Sequence, residues 1–249
     1  MQWYVFSSVS LISILIIAAL GLTNLNHSGY AATTSGHHSQ GHGNHKNKST
    51  THPPPTPAHS IQICCAWDDK LADGKLTYKI VGGDTSAHQA VKDAINAWTT
   101  KLNGLKFTEI SGKTNFADIM VNFNNNNGNS SINNLAAVKG SHRVDTVGQT
   151  MTTVGSTGLI SNAVTTVYEG AFGTPFSNAE IKQIAMHEIG HALGIGHASF
   201  KGDLMSPMLN DEIGTISQCD VRAVLAANQW ELGAAGLTPE GPKVDQIYC

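Results

Sequence analysis

The run His187-Glu188-Ile189-Gly190-His191-Ala192-Leu193-Gly194-Ile195-Gly196-His197 limits what this chain can fold into more than any other stretch of it. Within eleven residues it sets three imidazoles, one carboxylate and a glycine suited to ending a helix. On an α-helix, His187 and His191 lie one turn apart on the same face and can share one metal ion. Glu188 follows directly and can reach a water at that metal without binding the metal itself. Gly194 allows the chain to leave the helix with positive φ, which brings His197 back as a third nitrogen. Three neutral imidazoles with an open fourth position match a catalytic zinc site, not a closed structural one. The bland alternative is three histidines on an ordinary amphipathic helix, but histidine is an uncommon core residue.

The helix is supported by its own signals. Ser177-Asn178-Ala179-Glu180 reads as a capping box, serine first and glutamate three residues later. Ile181, Ile184, Ala185, Ala192 and Leu193 recur at helical spacing, so a helix is predicted over Asn178–Leu193.

The first sixty residues do not have the composition of a folded domain. Residues 5–22 are uncharged and apolar or small, as in a secretory signal or a single membrane anchor. The absence of Lys or Arg ahead of them argues against a signal peptide, while Tyr30-Ala31-Ala32 offers small residues for cleavage; residues 1–30 are assigned to a secretory signal or a membrane anchor. Residues 31–60 are rich in His, Gly, Asn, Ser, Thr and Pro and cannot bury a core, so they read as a flexible tether. Its histidines suggest either a weak metal-scavenging arm or a biased polar spacer. Either assignment of the N-terminus puts the rest of the chain outside the cytoplasm. Residues 61–249 remain for one domain, long enough for a substantial core. Lys46 and Lys48 are the only charges before Ile61, so of 15 basic and 18 acidic residues the domain keeps 13 and 18, a formal −5. No basic cluster points to nucleic acid.

An even count of cysteines in an exported chain suggests disulfides. A bond between adjacent residues is strained, so Cys64 and Cys65 are each expected to pair with Cys219 or Cys249, in an unfixed order. A metal site or free thiols would be the alternatives.

Further elements follow from periodicity. Strands are predicted at Leu76–Val81, Lys106–Ile110, Ala117–Phe123, Leu135–Val138, Val144–Val154 and Leu159–Tyr168. An Asn-rich loop covers Asn124–Asn134. A helix capped at Ser86 carries Val91, Ala94, Ile95, Ala97 and Trp98 along one side, and another over Gln218–Trp230 buries Val221, Val224 and Leu225.

The zinc motif, followed by Asp203-Leu204-Met205-Ser206-Pro207, resembles the metzincin proteases with their Met-turn. Leu76-Thr77-Tyr78-Lys79-Ile80, Ala117-Asp118-Ile119-Met120 and Ile216-Ser217-Gln218-Cys219-Asp220 extend the likeness, and the domain resembles the matrixin branch. The resemblance implies an α+β, zincin-like fold: a twisted five-stranded mixed sheet with an antiparallel edge strand, three helices and a zinc cleft. It implies a secreted or surface-anchored zinc endopeptidase, monomeric, that takes a protein or peptide as an added strand beside that edge. Glu188 would be the general base, Met205 a soft floor under the metal, and Pro207, Met208 and Leu209 one wall of the pocket after the cleaved bond. A membrane partner is expected only if residues 5–22 persist as an anchor. Ala198 and Ser206 depart from the family's usual serine and tyrosine. Asn127-Gly128-Asn129 and Leu135-Ala136-Ala137 stand where members place histidines for a second zinc, and His142 alone could not hold one. The family's cysteine-switch motif is absent. Calcium is a cofactor the family would allow, with no loop here that identifies it. A zinc-binding surface or adhesion protein that kept the fold without turnover is the competing expectation; the His-rich tether favours it and Glu188 argues against it.

Overall fold

The computed structural model describes residues 3–8, 59–112, 116–124, 144–209, 214–229 and 239–249. The Asn-rich loop, the stretch at Leu135–Val138, His142 and nearly all of the tether lie outside these residues.

One mixed sheet carries the fold. Five of its strands are β4 (Lys75–Val81), β5 (Lys106–Glu109), β6 (Ile119–Asn124), β7 (Val144–Val154) and β8 (Leu159–Tyr168). They lie in the order β7-β8-β6-β4-β5. β4, β5, β6 and β8 run parallel, and β7 is antiparallel to β8, as the resemblance implied. Two short strands extend this ladder. β3 (Ala66–Trp67) pairs with the start of β8, and β1 (Trp3–Ser8) pairs in parallel with the outer edge of β7. β1 therefore includes the head of the apolar N-terminal run. No helix among the described residues is long and apolar enough to cross a membrane.

Two helices pack together under the sheet. α1 (Thr85–Lys101) buries Ala87, Ala90, Val91, Ala94, Ile95 and Trp98. Its N-cap is Asp84, whose carboxylate accepts from the Ala87 amide, and not Ser86, whose hydroxyl donates to Asp84. Both residue types cap well; the one that follows the positive-φ turn at Gly82 and Gly83 takes the position. α2 (Asn178–Ala192) starts with the predicted capping box, Ser177 and Glu180 satisfying each other's backbone amides. Trp98 fixes α1 to α2 by donating its indole N–H to the Met186 carbonyl.

A second, three-stranded sheet joins distant parts of the chain in the order β11-β2-β12, from β2 (Ser60–Ile63), β11 (Ile195–Ala198) and β12 (Gln246–Tyr248). Ser60 thus belongs to the fold and not to the tether, and His59 stacks on Phe200. α3 (Gln218–Asn228) packs against this sheet and begins with a second capping box, from Ser217 and Asp220. It buries Val224, but Leu225 is 40% exposed, so that expectation was wrong. β9 (Gly170–Ala171) and β10 (Thr174–Pro175) form a small hairpin ahead of α2.

The expected disulfide pairing is also overturned. Cys64 bonds to Cys65, and Cys219 to Cys249. The antiparallel register explains this. β2 pairs Ser60 with Tyr248 and Gln62 with Gln246, and the Cys249 amide donates to the His59 carbonyl. Cys249 therefore lies five residues down the strand from Cys64, about 16 Å at the usual rise per residue. Cys219, in the first turn of α3, is the thiol that this end of the sheet can meet.

Candidate active site

The three predicted histidines converge. His187 and His191 come from one face of α2 and His197 from β11, and their ligand atoms lie within 4.8 Å of one another. The backbone turn between them is the predicted one, with Gly194 at φ +93°. A side chain at Gly194 would also run into the Cys65 carbonyl, so glycine is required there twice over.

The end of α2 is held by groups far away in sequence. A helix leaves its last carbonyls without internal partners. Here the Trp67 indole donates to Ala192 O at 2.9 Å and the Asn228 amide to Leu193 O at 2.7 Å. The Cys64 and Cys65 amides both donate to Gly194 O. The vicinal disulfide thus sits on the turn that returns His197.

Hydrogen bonds also fix how the imidazoles present themselves. His187 Nδ1 donates to Leu204 O at 2.7 Å, and His191 Nδ1 donates to Ile195 O at 2.8 Å. A carbonyl accepts only from N–H, so the proton is on Nδ1 and the lone pair on Nε2. The Nε2 atoms of His191 and His197 are buried with no hydrogen-bond partner. Burial, reinforced by His191, holds His187 well below the usual histidine pKa, against the opposing bond to Leu204. Burial and then His197 push His191 down to about 3, and burial lowers His197. All three rings are neutral near pH 7, the form that binds a metal. The donor set fits zinc.

Glu188, which follows His187 in α2, is fully buried. Its Oε2 accepts from the Thr150 hydroxyl at 2.7 Å, while Oε1 has no partner. Burial raises its pKa well above the carboxylate range, and the Thr150 bond opposes that. A cation at the imidazole cluster is the compensation such a carboxylate lacks. Thr150 and Gly148, both on β7, were not picked out from the sequence. Their signal was available: Gly148, Thr150 and Thr152 alternate onto one buried face of a strand that packs on α2, where apolar residues would be the default.

Met205 lies fully buried where predicted, under α2. A Cβ at Gly190 would sit 2.6 Å from its sulfur, so Gly190 makes this close approach possible. The Met-turn is braced by Asp203, which accepts from the Met205 amide at 2.9 Å and from the Ser217 hydroxyl of the α3 cap at 3.0 Å. Asp220 is buried beside it. The sequence profile of the matrixin family matches residues 66–227, about two thirds of the chain, with the histidine cluster and the Met-turn inside that span. The chain belongs to the matrixin family. No curated protein matches it.

Matrixins are zinc metalloproteases, and in this member three histidines that could hold a metal ion converge. Beyond the Met-turn, Pro207 and Met208 are half-buried and Leu209 joins the hydrophobic core. A cavity of about 710 Å³ between α1, α2 and residues 214–216 is lined by Asp93, Lys182, Met186 and Ile216 among others. It shares no residue with the histidine cluster or with the Pro207–Leu209 stretch.

Proposed function

We propose that this matrixin is an exported, monomeric endopeptidase that hydrolyses peptide bonds with Zn²⁺ held by His187, His191 and His197. The observation that carries this reading is Glu188, next to His187 in α2 and fully buried with Oε1 unpartnered. A pure binding site has no use for a costly buried carboxylate of that kind. Bound zinc supplies Lewis-acid chemistry, acidifying water and polarising a peptide carbonyl near neutral pH. Glu188 takes a proton from the attacking water at Oε1 and returns it to the leaving amine. Met205 supports the metal site from below as a soft apolar contact. The substrate lies along the outer edge of β7 as an added strand, the edge along which Trp3–Ser8 now pairs. Export that removes the N-terminal segment would free that edge. Pro207, Met208 and Leu209 form the wall facing the residue after the cleaved bond, which favours an apolar side chain there.

A quenched fluorescent peptide assay with and without a chelator tests the proposal. Cleavage should stop on zinc removal and return on adding zinc back. Glu188→Ala should keep the metal while turnover falls by roughly 10²–10⁴, whereas His191→Ala should lose the metal. Proteolysis that survives complete chelation, or a Glu188→Ala protein as zinc-poor as His191→Ala, would refute it. A wild-type protein that binds zinc and cleaves nothing would be a non-catalytic zinc-binding surface protein instead.

A further inference from the structure

We infer that Thr150 is a positioning residue for Glu188, and that it selects Oε1 as the oxygen that carries the proton. The inference rests on the endopeptidase reading above and adds a residue to it. Thr150 Oγ1 has three oxygens within reach: Glu188 Oε2 at 2.7 Å, the Glu188 backbone carbonyl at 3.0 Å and Thr165 Oγ1 at 3.0 Å. It has one proton to give. The carboxylate oxygen is the nearest and the most basic, so the proton goes to Oε2. Thr165, directly opposite in the β7–β8 register, then donates to Thr150. The result is a short buried chain, Thr165 to Thr150 to Oε2, and both threonines are at most 3% exposed.

The chain has a directional consequence. Oε2 is occupied by a donor both before and after Glu188 takes up a proton, because a carboxylic acid keeps one acceptor oxygen. The incoming proton is left with Oε1, to which no protein group is hydrogen-bonded. Gly148 completes the arrangement: a Cβ there would sit 2.5 Å from Oε1 and 2.8 Å from Glu188 Cγ. One strand thus supplies the hydroxyl that holds one carboxylate oxygen and the empty space that the other needs. In a buried, low-dielectric setting, a bond of this kind fixes a side chain far better than it would in water.

Thr150→Val replaces the hydroxyl with a methyl of the same shape. For the purified protein, kcat should fall about tenfold or more while KM and zinc content stay at wild-type levels. Thr150→Ser restores the hydroxyl and should recover most of the loss. In a Glu188→Ala background there is no carboxylate to position, so adding Thr150→Val should change the residual rate by less than about twofold. A readout independent of turnover is the ¹³Cδ resonance of Glu188, which should move in Thr150→Val and return in Thr150→Ser. If Thr150→Val fails to fold, Thr150→Ala is read in the same way. An active wild type whose Thr150→Val variant keeps both kcat and the Glu188 resonance would overturn the assignment. So would a Thr150→Ser variant as impaired as Thr150→Val. An inactive wild type with the expected resonance changes would instead sink the endopeptidase reading, leaving Thr150 only as the group that holds Glu188 Oε2.

Discussion

The two disulfides should contribute very unequally to stability, and the imbalance can be worked from their spacing. A cross-link stabilises mainly by restricting the unfolded chain, and the effect grows with the length of the loop it closes. Cys219–Cys249 spans 30 residues, for which the loop-entropy relation gives about 3–4 kcal/mol. For a domain of this size, that corresponds to a melting shift of about 7–15 °C. Cys64–Cys65 spans a single peptide unit and closes no chain loop worth counting. The Cys219→Ala/Cys249→Ala pair should therefore melt about 7–15 °C lower, whereas Cys64→Ala/Cys65→Ala should lose only the small packing contribution of buried Cys65. Calorimetry on the two double variants and non-reducing peptide mapping of the wild type give the comparison. The first variant should also keep its zinc well below the melting temperature, because neither cysteine touches a histidine ligand. If the Cys64/Cys65 variant were the less stable one, or if mapping found either cysteine joined to Cys219 or Cys249, the register argument would be wrong. Crossed bridges would each close more than one hundred residues, and removing either pair would then be comparably costly.

Gly194→Ala should destabilise the protein by about 1–2 kcal/mol from its positive φ alone, and further because the Cys65 carbonyl occupies the methyl's place. It should also weaken zinc binding by displacing His197; unchanged melting and zinc affinity would refute this. Deleting residues 1–57 should lower KM for a peptide several-fold with kcat unchanged, since it removes the strand paired with β7; an unchanged KM in steady-state kinetics would show that β1 does not compete there. Burial and the adjacent Asp203 carboxylate raise the Asp220 pKa to about 8. A pKa raised on folding means that the folded state holds a proton the unfolded chain has released, so stability is full below about pH 4 and falls as pH rises towards 8. Denaturation should therefore become easier between pH 5 and pH 8, and Asp220→Asn should flatten that slope; an equally steep slope in the variant would exclude Asp220 as its source.

The parts of this molecule that were legible in its sequence are those set by neighbours along the chain. The capping box at Ser177 and Glu180, the apolar spacing of α2 and the glycine at its end are local signals, and they define the helix to within a residue. β7 and β8 fall at their predicted bounds, because long alternating runs set off by a Gly-Ser-Thr-Gly turn leave little freedom. What could not be read depends on pairing at a distance. β2 and β12 have four and three residues, and each becomes a strand only because its partners lie far away in the chain. The disulfides follow from that register, so the reasoning about vicinal strain, sound for an isolated dipeptide, picked the wrong partners. Leu225 shows the same limit on a smaller scale: helical spacing identifies an apolar stripe, but not how far the neighbouring sheet extends over it.

The site itself divides along this line. Two of the proposed ligands and the proposed base come from one helix turn, and a short motif can specify them because the helix repeat does the positioning. The third histidine is different. His197 reaches the cluster only if the chain turns at Gly194 and is then held, and the holding is non-local. β2 pairs with β11 on one side; Trp67, Asn228 and the Cys64–Cys65 amides satisfy the carbonyls at the turn. Those groups come from more than one hundred residues before the motif and about thirty after it. Glu188 is divided in the same way, placed by the motif but oriented by Thr150 and Gly148 on β7. The motif therefore identifies the chemistry, while the two sheets supply the precision that the chemistry needs. Substitutions in β2, β3 or β7 that leave every motif residue intact should still be able to abolish activity.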